Sequence, residues 1–387
     1  MGKIEGWPAL KLMVPPTKAT LEIAWESFPE GLRSDIELYL QGLTRVRRSR
    51  TGNRIKPLQP STLITRRREL QAAARMAVKA GVPIAQLTSL AALLTPAVSE
   101  LVLDAYWKQN GEQPKLFTIE LANRFLSIAR ETRCLGEAEC ESLEELRRKL
   151  EDYRDEGLTE KNFAFLRQVL TADVWGRVFK LPYTMMAEAE RLRNGSPVRA
   201  AVAAQMAIAI AIESAAPVRL ANLTSIRLDT NLIKPGGPNA NYWLVFPKYD
   251  VKNRVTLNYP LSEPITALID QYVQNFWPTL LRGRYEDWLF PGLRKGAKNK
   301  ISFSTQIKRQ IWKATGISMT VHQFRHAAGA IILKKRPGEY ELVRQLLEHK
   351  NVQTTINSYI GLDSIQASEI FTDMISEMVG SHLQAAE

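Results

Sequence analysis

The strongest constraint on the fold is an apolar run near the middle of the chain, AAVAAQMAIAIAI, at positions 200–212. It contains no charged residue and is bounded by Arg199 and Glu213. A helix of this composition has no polar face, so protein must cover it on all sides. With 13 residues it is too short to span a bilayer. The run therefore predicts a buried core helix and no membrane segment.

Two domains are expected, because 387 residues are enough for two hydrophobic cores. Helical patterns follow one another through the first half, and no convincing strand precedes residue 240. The stretch 242–261 shows two β-rich runs around a charged tip, DVKNR, which predicts a hairpin. The predicted fold class is multidomain α and α+β. A helical N-terminal domain covers 1–175, and a mixed, mainly helical domain with a small antiparallel β-sheet covers 176–387.

The charge balance favours a polyanionic partner. The chain has 52 Lys and Arg against 40 Asp and Glu, a net charge of +12 and a pI near 9.6. This excess favours nucleic acid over a membrane surface, although many basic proteins only gain solubility from it. The N-terminus shows no secretion signal, so a cytoplasmic location is expected. Cys134 and Cys140 belong to no CxxC or Cys/His cluster, which argues against a zinc site and a disulfide framework.

A basic cluster stands out in the first half, in the run RVRRSRTGNRIK and in a triple arginine near the start of the predicted helix 60–81. Such a run is often a solvated loop. Near a helix start, however, guanidinium groups can contact a DNA backbone. The residues predicted to bind DNA are Arg45, Arg47, Arg48, Arg50, Arg66, Arg67 and Arg68.

The second half contains a helix start with two residues suited to phosphate binding. In TVHQFRHAAG, Thr320 is a plausible N-cap, and His322 and Arg325 lie three residues apart on one helix face. Free backbone N–H groups and the positive end of the helix dipole favour an anion there. Taken alone, the motif also fits an ordinary surface helix.

Three further residues are ambiguous when each is considered alone. Arg219 follows the apolar run, where it needs an anion, either a structural salt-bridge partner or a phosphate. His349 ends a predicted helix, where the dipole favours a histidine. Tyr359 is one of 11 tyrosines, most of which should be packing residues.

Together, and in this order, these residues resemble the tyrosine recombinase (phage integrase) family. The resemblance covers roughly residues 180–361. Its pieces are APVRLANL, VKNRVTLNYPL, HQFRHAAG, LLEHKNVQTT and NSYIG. Two positions depart from the usual pattern. Asn222 stands where an acidic residue is common, so a neutral hydrogen bond is expected to orient Arg219. Glu348 stands where LLGH has glycine.

The resemblance implies a catalytic role for each group. Arg219 and Arg325 would hold the nonbridging oxygens of a phosphodiester with forked cationic donors. His322 and His349 would add hydrogen bonds, with His322 also a candidate for moving the proton of the nucleophile. Tyr359 would be the nucleophile, its pKa lowered by nearby cations, and would form a 3′-phosphotyrosine and a free 5′-hydroxyl.

The resemblance also implies a general acid and the absence of cofactors. A lysine on the hairpin would protonate the leaving 5′-oxygen, with Lys252 favoured and Lys248 the alternative. No metal, cofactor or ATP is expected, since arginines stabilise the charge and one phosphoester replaces another.

The implied function is that of a site-specific DNA recombinase with type IB topoisomerase-like chemistry, a strand transferase for integration, excision, inversion or resolution of a mobile element. It would bind duplex sites through a core-binding domain, as a dimer on one site and a tetramer in synapsis. An apolar stripe within 365–379 would be an exchange helix that docks on a neighbouring subunit. Two alternatives are an enzyme that relaxes DNA or resolves hairpin telomeres, and a DNA-binding regulatory or architectural protein without strand exchange.

Overall fold

The computed structural model describes residues 23–48, 52–154, 157–171, 174–248, 251, 255–359, 371, 374 and 375. The chain divides into two compact units, 1–155 and 156–387. The predicted fold class is confirmed, since the described residues are mostly helical and carry two small antiparallel sheets.

The N-terminal unit is a set of helices around one main core. Fully buried Leu32, Leu70 and Phe125, from three different helices, belong to that core. The described helices are α1 (Glu30–Gly42), α2 (Pro60–Lys79), α3 (Leu90–Leu94), α4 (Pro96–Gln109), α5 (Leu116–Thr132) and α6 (Glu137–Glu151), with 3-10 turns at Trp25–Ser27 and Ile84–Gln86.

The expectation that no strand precedes residue 240 is wrong. Part of the basic run forms two antiparallel strands, β1 (Arg47–Arg48) and β2 (Arg54–Ile55). A third, β3 (Leu232–Ile233), lies in the second unit. Each has two residues, too few to show the alternation of apolar and polar side chains by which a strand is recognised in a sequence.

The second unit surrounds the apolar run. Its described elements are α7 (Glu160–Thr171), α8 (Val174–Leu192), α9 (Pro197–Ala215), α10 (Leu220–Thr224), β3, β4 (Trp243–Phe246), β5 (Leu257–Pro260), α11 (Glu263–Asn275), α12 (Trp277–Leu281), α13 (Lys300–Thr315), α14 (Val321–Lys335) and α15 (Tyr340–Leu347). Residues 352–359 are also helical. The predicted hairpin is confirmed, because β4 and β5 pair antiparallel, and β3 adds to the outer edge of β4.

Helix α9 is the buried centre of this unit, as the apolar run predicts. Residues 204–213 are all buried, and Pro197 occupies the first turn, where its missing N–H costs nothing. Within the described residues, α9 is also the one helix with the length and composition of a membrane span. Yet 67% of its most apolar window is buried inside the protein, the burial expected of a core helix.

The first unit ends at residue 155, which is 20 residues before the boundary at 175 that was predicted from the sequence. The reason is α7, whose Phe165, Leu166 and Val169 pack into the core around α9. An amphipathic pattern shows which face of a helix is buried but not which core covers it.

Candidate active site

Arg219 is anchored by a carboxylate. It is the N-cap residue of α10, and its Nη1 donates to Oε2 of Glu348 at 2.9 Å. Glu348 is the C-cap residue of α15. The Arg219 side chain is 25% exposed and that of Glu348 only 3%, so the carboxylate lies on the interior side of the ion pair. The expected neutral hydrogen bond is therefore replaced by a charged one.

Arg325 lies in the second turn of α14 and is 4% exposed. Its Nη1 donates to the carbonyl of Pro217 at 2.6 Å, and its Nη2 donates to the carbonyl of Leu347. The two arginines therefore join the same two segments, the chain entering α10 and the end of α15. This shared bracing brings Arg219 and Arg325 to one site although they are far apart in sequence.

The start of α14 has the predicted N-cap. Thr320 is the N-cap, as expected, and the Gln323 side-chain oxygen accepts a hydrogen bond from the Thr320 backbone N–H at 2.8 Å. This contact satisfies one backbone donor that would otherwise lack a partner at the helix terminus. His322 and Arg325 follow one helical turn apart, so the cap fixes the position of both.

The predicted histidines are kept neutral by their surroundings. Burial, followed by the charges of Arg325 and Arg219, lowers the pKa of His322. The same causes in the same order lower the pKa of His349 to about 4. Nδ1 of His349 lies 2.9 Å from Oγ1 of Thr355, which ties it to the helical segment carrying the tyrosine. Near pH 7 both rings are therefore uncharged hydrogen-bonding groups.

His326, which was not predicted from the sequence, lies between His322 and Tyr359. Its ring centroid is 4.7 Å from that of His322 and 6.4 Å from that of Tyr359. Burial, then His322 and Arg325, lowers its pKa to about 4. Its spacing of four residues from His322 on one helix is the signal that could have identified it.

Two buried residues near the arginines were also missed. The Tyr259 hydroxyl lies 3.0 Å from Oε1 of Glu348 and 2.9 Å from the carbonyl of Leu346. Glu213, at the end of the apolar run, has no hydrogen-bond partner for either carboxylate oxygen within the described residues. Burial raises its pKa well above the usual range, although Arg325 opposes the shift.

Tyr359 is 0% exposed, an interior residue of the second core. Its hydroxyl donates to the backbone carbonyl of Arg325 at 3.2 Å, and its ring packs on Gly329 of α14. Burial raises its pKa above the usual value, while Arg325 lowers it by less. The expectation of a lowered pKa is therefore wrong for this arrangement, because desolvation outweighs the cation. The phenol is protonated and faces the protein interior.

The other predicted residues of the second unit, and Arg50 of the first, are only partly within the described residues. Lys252 and Arg50 lie outside the described residues, whereas Lys248 is exposed just after β4. Of the C-terminal stripe, Phe371, Met374 and Ile375 are described, and all three side chains are exposed.

The predicted DNA-binding arginines of the N-terminal unit fall into two groups. Arg45, Arg48 and Arg68 are exposed. The other three described arginines form hydrogen bonds with side chains of the same unit. These contacts are Arg47 to Glu131 at 2.8 Å, Arg66 to the Tyr39 hydroxyl at 2.7 Å, and Arg67 to both carboxylate oxygens of Glu37 at 2.7 and 2.5 Å.

Comparison with known proteins finds similarity within the second unit. Residues 185–364 match the phage integrase family. A 97-residue segment is 32% identical to tyrosine recombinase XerD of Pseudomonas aeruginosa, covering 25% of this chain and 32% of that relative. The family match confirms the resemblance carried by the motifs, over residues 185–364.

Solved structures match most of the chain at low identity. A lambda integrase dimer bound to a COC′ core site has a TM-score of 0.49 and 15% identity, covering 84% of this chain and 93% of that chain. The Tn1549 transposon integrase in complex with circular intermediate DNA has a TM-score of 0.44 and 13% identity, with coverages of 83% and 93%. XerA recombinase has a TM-score of 0.36 and 14% identity, with coverages of 79% and 98%.

The packing of Tyr359 can be tested at Gly329. A Cβ at this position would lie 2.3 Å from the Tyr359 hydroxyl oxygen, so Gly329→Ala must displace the ring. We expect the free energy of unfolding to fall by about 1–3 kcal/mol, as for other overpacked cores. The expected loss is opposite in sign to the stability that replacing glycine with alanine normally adds within a helix. Chemical denaturation measures both variants, with Gly42→Ala as control, because a Cβ at Gly42 meets nothing within 4 Å. Equal stability of Gly329→Ala and the wild type would contradict the packing.

The neutral histidines predict a pH dependence of stability. Because the folded pKa of His349 is about 4 and the unfolded value about 6.5, the unfolded state binds more protons between these values. Stability is thus lost as pH falls from 6.5 towards 4. His349→Asn should reduce this slope by at most one proton, about 1.4 kcal/mol per pH unit. Urea unfolding across this range measures the slope, and an unchanged slope would contradict a neutral His349.

Proposed function

We propose that this protein is a site-specific DNA recombinase that cuts and rejoins DNA through a covalent bond to Tyr359. The observation that carries the proposal is the shared bracing of Arg219 and Arg325, with His322, His349 and Tyr359 packed around them. Two forked, permanently charged donors at one site suit a phosphodiester whose nonbridging oxygens gain charge during attack.

The proposed reaction exchanges one phosphoester for another. The Tyr359 oxygen attacks the phosphorus, and the bond from phosphorus to the 5′-oxygen breaks, leaving a 3′-phosphotyrosine. A neutral His322 or His349 can accept the phenolic proton. A lysine, Lys252 or else Lys248, gives a proton to the departing 5′-oxygen. Attack by another 5′-hydroxyl reverses the reaction and frees the tyrosine, so neither a metal nor ATP enters the balance.

The reaction requires a rearrangement of Tyr359. Its hydroxyl must leave the carbonyl of Arg325 and come within reach of the phosphate that the arginines hold. Moving the phenol from the apolar interior towards two guanidinium groups removes the desolvation that raises its pKa. The proposed movement therefore exposes the nucleophile and increases its acidity in one step.

The partners we propose are duplex recombination sites and further copies of the chain, two on one site and four in synapsis. Of the proteins matched above, lambda integrase is solved with core-site DNA and the Tn1549 transposon integrase with circular intermediate DNA. In this chain, exposed Arg45, Arg48 and Arg68 offer guanidinium groups to the DNA backbone. The interior position of Tyr359 also suits the alternative, a DNA-binding regulatory or architectural protein without strand exchange. The same chemistry would serve an enzyme that relaxes DNA or resolves hairpin telomeres.

A nicked suicide substrate tests the reaction. DNA bound from the region flanking the gene is nicked just 3′ of the cleavage position, so that the short fragment with the released 5′-hydroxyl diffuses away after attack. We expect a covalent protein–DNA adduct in the presence of EDTA, absent in Tyr359→Phe and retained in the control Tyr340→Phe. Binding without an adduct in the wild type would favour the regulatory alternative. An adduct in Tyr359→Phe would refute the nucleophile assignment.

The basic residues of the N-terminal unit predict distinct salt effects. Arg68 is exposed, whereas the charge of Arg67 is already offset by Glu37. If Arg68 contacts a phosphate, Arg68→Gln should reduce the slope of log K against log salt by about 0.9. Arg67→Gln, the matched control, should change it less. Titrations with nonspecific duplex DNA at several salt concentrations measure the slopes, and equal slopes for both variants would argue against the assignment.

A further inference from the structure

Glu348 has a backbone conformation that does not suit glutamate. Its φ of 55° and ψ of 39° lie in the left-handed region, which glycine adopts at low cost and other residues adopt rarely. Among the described non-glycine residues with positive φ, it alone is buried; the others are Glu112, Arg133 and Arg282. A residue kept in an unfavourable conformation inside a protein needs a compensating interaction.

The compensating interaction is made by the carboxylate. Oε2 binds Arg219 at 2.9 Å, and Oε1 lies 3.0 Å from the Tyr259 hydroxyl. Tyr259 is itself buried and also lies within hydrogen-bond distance of the Leu346 carbonyl, so the carboxylate cannot swing freely. Beside this ion pair the Arg219 side chain remains 25% exposed, so a ligand can still reach it.

Glu348 also acts on the second arginine. Arg219 lowers the pKa of Arg325, after the larger effect of burial, and Glu348 raises it. The two cations are therefore near enough to repel each other, and the carboxylate partly offsets the repulsion. Asn222, one helical turn after Arg219, supplies no such charge, and its Nδ2 has no hydrogen-bond partner in the described part of the chain.

We propose that Glu348 is the positioning residue of this site. It holds Arg219 from the interior side with its free edge directed to the scissile phosphate, and it keeps the two arginines together before DNA arrives. It acts through Arg219 and does not itself touch the substrate. This role rests on the proposed strand-cleavage function.

The test compares Glu348→Gly and Glu348→Gln with the wild type. Glycine suits the left-handed backbone and thereby offsets stability lost with the buried ion pair, so Glu348→Gly should still fold, and its melting temperature, measured beside its cleavage rate, separates positioning from stability. Single-turnover cleavage of the nicked substrate under saturating protein should slow about tenfold or more, because a misplaced group loses much of its effect. The DNA affinity of Glu348→Gly should change less than about twofold. The cleavage rate of Glu348→Gln should lie between those of Glu348→Gly and the wild type.

A double-mutant cycle tests whether the effect of Glu348 on the cleavage rate is exerted through Arg219. If Glu348 acts through Arg219, adding Glu348→Gly to Arg219→Gln should not lower the cleavage rate further. A further loss in the double variant would overturn the proposal. If the wild type cleaves and Glu348→Gly cleaves equally fast or faster, the proposal is also overturned. A faster rate would mean that the carboxylate competes with the phosphate for Arg219. DNA binding by the wild type without any adduct would instead overturn the proposed function, and this role with it.

Discussion

The site depends on one buried cation. The guanidinium of Arg325 binds the backbone carbonyls of Pro217 and Leu347, and thereby fixes the end of the central helix α9 against the end of α15. A charge taken out of water requires such partners, and charged donors make strong hydrogen bonds. Arg219 lies two residues after Pro217, and Glu348 directly follows Leu347. The placement of the first arginine thus follows from the burial of the second.

The same residue also positions the tyrosine. The backbone carbonyl of Arg325 accepts a hydrogen bond from the Tyr359 hydroxyl, so the proposed nucleophile is bound to the residue that is also a proposed phosphate ligand. The missing side chain of Gly329 makes room for the ring. Burial keeps the phenol protonated, and a protonated phenol is a poor nucleophile. Under the proposed function, the described arrangement is a resting state, and cleavage begins with the departure of Tyr359 from the core.

The sequence predicts what depends on pattern and composition. The apolar run predicted the burial of α9, the β-rich runs predicted the β4–β5 hairpin, and the residue order indicated the match to the phage integrase family. Features set by tertiary contacts could not be predicted in this way. The partner of Arg219, Glu348, lies more than 120 positions away in the sequence. The pKa of Tyr359 depends on its burial against α14, a separate helix. Two-residue strands leave no periodic signal.

The central claim is that Tyr359 itself becomes bonded to the DNA. Mass spectrometry of the trapped protein–DNA adduct tests it most directly, because no Lys or Arg follows Lys350 and trypsin therefore releases one peptide beginning at Asn351. After nuclease treatment, we expect a nucleotide linked by its 3′-phosphate to Tyr359 within this peptide. A nucleotide attached to any other residue, or joined through a 5′-phosphate, would contradict it.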